Sequence, residues 1–448
     1  MKKIFLTGNF NIKCCVIFFL FTISYSSFTL HAQTWSALGA GFNGSCNALT
    51  VYDGNLIAGG YFNKAGGSND TNITQWDGTS WFSVGSGLDS SVYGLFVYNS
   101  NLYAMGAFTF AGDVYANSVA QWNGSSWGPV GSGMTGYVDA ACIYNGNLIL
   151  AGNFNQAVPA LGNPGNYIAV WNGSTYSTFG SGLNGPVKSL CVYNGNLIAG
   201  GSFDSAGGKL AHCIAQWNGV SWDSLGGGIT GGVNPVVDAL TIFDGYLIAG
   251  GNCTMAGGKP ASNIAEWNGF SWSQVGTGLT NKCTCLTMYN GMVVAGVNSP
   301  NYIGVWNGSS WSTLGSGLNG PAYCLTVFNG NLVAGGQFTS AGGNPASNIA
   351  VWSTSSGIND TKDNNNAVSV YPNPGKGVFT FEVKGEGLQA GNNIEIYNIL
   401  GEKVYSEVVE SNAAKSIIDI SNQSAGIYLY RITENTDELI SSGKVIIK

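Results

Sequence analysis

This 448-residue sequence predicts an all-β protein, and three observations carry the prediction. Glycine is abundant, at 68 residues, and recurs in turn-forming pairs such as Asp53-Gly54 and Asn194-Gly195. Charged residues are only 9 % of the chain, while Trp, Tyr and Phe number 13, 21 and 21, enough apolar surface to offset chain entropy. A tryptophan, in most copies followed by Asp-Gly or Asn-Gly, returns at Trp76, Trp122, Trp171, Trp217, Trp267, Trp306 and Trp352.

The intervals between these tryptophans are 46, 49, 46, 50, 39 and 46 residues, the period of a β-propeller blade. Each copy reads as four short strands. "ALTVY" (48–52) is β-rich, and Asp53-Gly54 supplies the positive φ of a tight hairpin. "NLIAGG" is the second strand, and an "AGG" loop follows it in five copies. "NITQW" (72–76) is the third, and "WFSVGSG" (81–87) the fourth. The seventh copy stops after its third strand, at Trp352, and an unmatched fourth strand, "TWSALGAG" (34–41), stands near the N-terminus. The prediction is a seven-bladed propeller over 33–352, with 33–41 completing the last blade and closing the ring, so that no sheet edge is left open.

The ends of the chain read differently. Lys2, Lys3 and Lys13 flank an apolar run, "CCVIFFLFTI" (14–23), too short to span a bilayer, and "LHAQ" follows it. Residues 1–32 are predicted to be a signal peptide cleaved between Ala32 and Gln33, with no lipid anchor and no transmembrane segment after its removal. Residues 353–367 form a polar linker without periodicity. Beyond them the charge density rises: 33–357 holds 11 acidic residues, five lysines and no arginine, whereas 358–448 holds 12 acidic and eight basic ones. Residues 368–448 read as a small immunoglobulin-like β-sandwich.

The Gly-Gly pair ending the second strand (Gly59-Gly60), the aromatic before a turn (Trp76) and the Trp after it (Trp81) resemble the kelch-type propeller family. Trp stands where kelch blades carry Tyr, and their basic residues are missing. At the C-terminus, Tyr371-Pro372-Asn373-Pro374, Ile396-Tyr397 with Gly401, Gly426-Ile427-Tyr428 and the closing Lys444 to Lys448 resemble the type A sorting domain of the type IX secretion system of Bacteroidota. That resemblance implies export across the inner membrane, recognition by the outer-membrane translocon as partner, and release or display at the cell surface.

Several chemistries are disfavoured. The net charge is −7 with no basic patch, which argues against nucleic acid. After signal removal the chain has one histidine, His212, so neither a histidine metal site nor a Ser-His-Asp triad is expected, and no cofactor is expected. "GNLIAGG" looks like a phosphate loop, but a strand pattern follows it where a helix is needed. Two acids, Asp139 and Asp238, share one repeat column two blades apart and are the candidates for carboxylate-based polysaccharide cleavage. Cys142 with Cys191 and Cys285 with Cys324 share columns of adjacent blades, and Cys213 and Cys253 sit at the same end of neighbouring blades, either as disulfides or as buried thiols.

One column is polar and varied where its neighbours are apolar or small. At the start of the innermost strands it reads Asn47, Tyr93, Asp139, Lys188, Asp238, Thr284 and Tyr323. A mixed polar and aromatic ring at a channel mouth suits a ligand. The same face carries the two departures from the repeat, a long loop at 153–166 and a shortened one at 298–301. The expected function is a secreted or surface-displayed binding or adhesion propeller, without enzymatic activity, for a glycan or extracellular polymer. A polysaccharide-cleaving enzyme and a passive surface-layer component are the alternatives.

Overall fold

The structure, a computed structural model, describes residues 33–157, 166–354, 368–383, 389–398, 402–410, 415–433 and 439–448. The segment read as a signal peptide, Ala32 included, most of the segment read as a linker, and Gly401 lie outside them. The chain divides into two compact units on either side of Ser355.

The first unit contains seven four-stranded antiparallel sheets, consistent with propeller blades. Sheet 1 runs Ser45–Tyr52, Asn55–Tyr61, Ile73–Trp76, Trp81–Ser83 from its innermost to its outermost strand. The innermost strands of sheets 2 to 7 are Val92–Tyr98, Met134–Tyr144, Val187–Tyr193, Val236–Phe243, Cys283–Tyr289 and Ala322–Phe328. Each packs against the innermost strand before and after it, and Ser45–Tyr52 packs against Ala322–Phe328, so the series closes on itself. The outermost strand of sheet 7 comes from the start of the described chain: Gln33–Ala37 pairs with Ile349–Thr354, placing Trp35 opposite Trp352.

The period is held by one interaction repeated seven times. The first aromatic of each outermost strand turns inward and donates to a carbonyl just past the preceding sheet. Trp81 donates to Leu38, Trp127 to Val84, Trp222 to Phe179, Trp272 to Leu225 and Trp311 to Val275, at 2.8–3.1 Å. Tyr176 does the same to Val130 through its hydroxyl at 2.6 Å, and Trp35 to Leu314 at 2.9 Å. An indole that buries its rings and satisfies its one donor in the same pose is fixed in orientation. Each also packs on the aromatic ending the third strand, as Trp81 does on Trp76 with centroids 5.2 Å apart. These tryptophans are therefore scaffold.

The hairpin between the first two strands uses positive φ at both turn residues, +48° at Asp53 and +78° at Gly54. "GNLIAGG" is thus a turn and a strand, followed by another strand rather than a helix. The "AGG" loops are themselves small two-stranded ribbons in several sheets, such as Phe110–Ala111 with Val114–Tyr115, a detail not visible in the sequence pattern. The segment read as a loop at 153–166 begins as strand: Asn147–Ala157 runs on past the usual end and pairs with an equally lengthened Met134–Tyr144. The rest of that segment, 158–165, lies outside the described residues.

All eight cysteines among the described residues are free thiols. Cys142 with Cys191, Cys213 with Cys253, and Cys285 with Cys324 are not bonded, and the thiol nearest Cys324 is that of Cys46, Sγ to Sγ 3.8 Å away. Packing between sheets explains them as small apolar residues. Burial pushes Cys142 and Cys191 up to about 12 and Cys213 and Cys253 up to about 11, which keeps them protonated and unreactive.

The second unit has a three-stranded sheet (Val368–Tyr371, Val378–Val383, Lys415–Asp419) and a four-stranded one (Lys403–Val408, Asn393–Tyr397, Gly426–Thr433, Leu439–Ile447). Both contribute to one core, with Phe379, Phe381 and Ile418 from the first and Ile394, Ile396, Ile432 and Val445 from the second.

Candidate functional site

The varied column coincides with a backbone feature. In all seven innermost strands the pairing with the second strand slips by one residue: Cys46 pairs with Gly60 and Ala48 with Gly59, which leaves Asn47 unpaired between them. The slip falls at Tyr93, Asp139, Lys188, Asp238, Thr284 and Tyr323 in the other sheets. Each column residue is the extra residue of a β-bulge, a device that bends a strand and re-aims one side chain. The bulge also accounts for the second glycine of the doublet: a Cβ on Gly60 would stand 2.0 Å from the Ser45 carbonyl oxygen.

The bulges bring most of the column together. Asn47, Tyr93, Asp139, Asp238, Thr284 and Tyr323 line one cavity of about 620 Å³, joined by Lys282, Asn298, Tyr302 and Pro321. Lys188 lies with Asp139, Asp238, Thr284 and Tyr323 around a second cavity of about 280 Å³. All seven column side chains are half-buried.

Charge in this ring is paired. Lys188 Nζ stands 3.1 Å from Asp139, and Lys282 Nζ stands 3.0 Å from Asp238. Burial pushes both carboxyl groups above the ordinary aspartate range, and the lysine beside each pulls it back part of the way. The other side of the ring is uncharged. Asn47 donates to the Val92 carbonyl at 3.2 Å, Thr284 to that of Ala322, and Tyr323 to the Gln337 side chain at 3.2 Å. Tyr93 meets Tyr137 edge to face at 5.9 Å. The mouth thus offers two neutral ion pairs, amide and hydroxyl groups, and tyrosine rings.

Sequence reasoning missed Lys282, Tyr302 and Tyr137. The shortened 298–301 segment was the available signal for Tyr302, since it ends where that residue begins. Lys282 is a bulge neighbour, two residues ahead of Thr284, and nothing in the repeat marks it. His212 is half-buried at the edge of sheet 4, where its carbonyl accepts the Ile229 amide at 2.8 Å.

In the second unit, sequence motifs far apart in the chain meet. Asn373 donates to the Lys444 carbonyl at 2.7 Å and accepts the Ile446 amide at 2.9 Å. Gly375 and Lys448 exchange a further contact, the Lys448 amide donating to the Gly375 carbonyl at 2.9 Å. The turn containing Pro372 and Pro374 is thereby stitched to the last strand. That strand pairs with the one holding Gly426 and Tyr428, whose hydroxyl donates to Ser424 at 2.8 Å. Tyr371 bonds Glu382 at 2.9 Å and accepts from Lys415 at 2.9 Å.

No curated protein sequence matches the chain. Among solved structures, PorZ, an essential bacterial surface component of the type-IX secretion system of Porphyromonas gingivalis, is 14 % identical over 92 % of this chain and 60 % of its own, with a TM-score of 0.44. The extracellular domain of a protein assigned as the one-component system BT4673 of B. thetaiotaomicron is 12 % identical over 91 % of this chain and 53 % of its own, with a TM-score of 0.50. BamB from Moraxella catarrhalis is 12 % identical over 72 % and 98 %, with a TM-score of 0.37. The chain thus spans a little over half the length of the first two. At such identities the likeness concerns the fold alone. Residues 369–448 match the family of secretion-system C-terminal sorting domains. That C-terminal segment is a type IX sorting domain, and the protein is exported through the type IX secretion system to the cell surface or beyond it.

Proposed function

We propose that the first unit is a kelch-like, seven-bladed propeller that works as a binding module on the cell surface or outside the cell, and that its ligand is a neutral glycan or similar extracellular polymer. The second unit, an immunoglobulin-like sandwich in this reading, serves export and is not part of the binding site. The observation that carries the proposal is the ring of seven bulges, which spends one strand irregularity per sheet on aiming chemically different side chains at one end of the channel. A scaffold needs no such variety. Tyrosine faces, amides and self-neutralised ion pairs suit hydroxyl-rich uncharged rings better than an anion or a cation.

Binding rather than turnover fits the same geometry. Asp139 and Asp238 are each held by a lysine, which leaves neither as a free proton donor. Calorimetric titration of the purified protein with neutral glycans tests the proposal. Tyr93→Ala together with Tyr323→Ala should weaken binding at least tenfold, about 1.4 kcal/mol, with an unchanged melting temperature. Binding unaffected by the pair, or hydrolysis of the glycan that Asp139→Asn abolishes, would overturn it.

A further inference from the structure

Among the aromatic side chains that the bulge ring leaves unused on the same face, Tyr61 is more exposed than Phe110 or Tyr115. Tyr61 is 67 % exposed, a large ring in water. It follows the second-strand glycine of sheet 1, and its counterparts in the other sheets are Ala107, Asn153, Ser202, Asn252, Asn298 and Gln337. Only sheet 1 has an aromatic there. Two counterparts show where the position lies: Asn298 lines the central cavity, and Gln337 accepts from the ring residue Tyr323. Tyr61 itself lines a different cavity, about 450 Å³, with Asn43, Asn63, Thr71 and Asp89 between sheets 1 and 2.

The two cavities lie close along the chain. Gly44, in the bend before Ser45–Tyr52, lines the outer one and Asn47 the central one, three residues apart and so at most about 11 Å between their Cα atoms. The outer cavity continues the chemistry of the inner one. Asn43 donates to Asn63 at 2.6 Å, and Asp89 spends one carboxylate oxygen on the Thr109 and Phe110 amides. A tyrosine face, amides and a hydroxyl again surround the space, here beside the Asp89 carboxylate.

We infer that the site is built for a chain and not for a single sugar: a linear neutral polysaccharide lies from the central cavity across the start of Ser45–Tyr52 into the outer cavity, with one ring stacked on Tyr61. This rests on the reading of the bulge ring as a glycan site. It adds a second subsite, a direction and a requirement for length. The span between the cavities is one that only an oligomer covers, and a second stacking surface reached through a linked ligand acts at high effective concentration.

The test is calorimetric titration of the full chain with size-fractionated glucan, mannan and xylan oligomers, from disaccharides upward. Affinity of the wild type should rise about tenfold or more once the oligomer is long enough to reach the outer cavity. Tyr61→Ala should remove that gain and leave disaccharide binding unchanged, and Tyr61→Phe should keep the gain. Length-independent affinity, or a Tyr61→Ala effect that is absent or equal at every length, overturns the extended site and leaves the central site standing. Failure of every oligomer to bind overturns both.

Discussion

Each sheet of the first unit has two ends, and they repeat in different ways. At the hairpin end, sequence and backbone repeat together. The first turn residue is Asp or Asn in all seven sheets, with φ of +48° or +49° from Asp53 to Asn329. At the bulge end the backbone repeats and the side chain does not: the same slipped register presents Asn, Tyr, Asp, Lys, Asp, Thr and Tyr. Where conformation alone matters, residue type is constrained by φ. Where a constant conformation carries a changing side chain, the side chain is free to serve something outside the fold. Within this one sequence, variation at fixed geometry separates site from scaffold.

The largest predicted effect is on the scaffold. Trp35 is 1 % exposed, donates to the Leu314 carbonyl and packs on Trp352 at 5.4 Å, and it sits on the strand that completes sheet 7. Trp35→Ala removes both rings and the bond at the seam. It should cost about 3–5 kcal/mol, read by urea denaturation. A loss below 1 kcal/mol would mean that the seam is not held as the other six junctions are.

The hairpin end supplies its own control. Six of the seven second turn residues are glycine, and the seventh is Ser100, with φ of +61°. Nothing lies within 4 Å of a Cβ placed on Gly54, so only backbone strain opposes a side chain there. Gly54→Ser should destabilise by about 1 kcal/mol, and Ser100→Gly should stabilise by a similar or smaller amount. Neither should alter glycan binding, since both residues lie at the other end of the sheet. A binding change in either variant would break the division between the two ends.

The repeat was legible because its signals are local. Asp-Gly and Asn-Gly dictate a turn, Gly-Gly marks crowding, and paired tryptophans recur in register. The ring column was legible as a polar interruption in apolar strands. The bulge behind it was not, because a one-residue slip in pairing depends on the partner strand, and Cys46, Asn47 and Ala48 read in sequence as ordinary alternation. Lys282 and Tyr137 escaped for a similar reason: they reach the mouth from positions that the other copies use otherwise. The cysteine columns were visible, but matched columns do not set the spacing and direction of side chains, and the closest pair, Cys46 with Cys324, belongs to two different columns.

The smallest predicted effect concerns the ring's charges, and its sign follows from burial. The folded-state pKa of Asp139 lies above its ordinary value of 3.8 because desolvation outweighs the attraction of Lys188. Between 3.8 and that raised value, the folded chain holds a proton that the unfolded chain has released. Asp139 therefore makes stability fall as pH rises through this window, and the penalty persists at neutral pH. Asp139→Asn removes it. Lys188, with 38 % of its side chain exposed, keeps water as a partner once the carboxylate is gone. The variant should be as stable as the wild type or more so at pH 7, by at most about 1 kcal/mol, and its stability should depend less on pH in the acid range. Denaturation curves across acid to neutral pH check this. Destabilisation of the variant at pH 7 would show that the ion pair outweighs the burial, and the ring charges would then belong with the tryptophan junctions as scaffold. A neutral or stabilising result places Asp139 with the tyrosines, among residues the fold tolerates at its own expense because the mouth uses them.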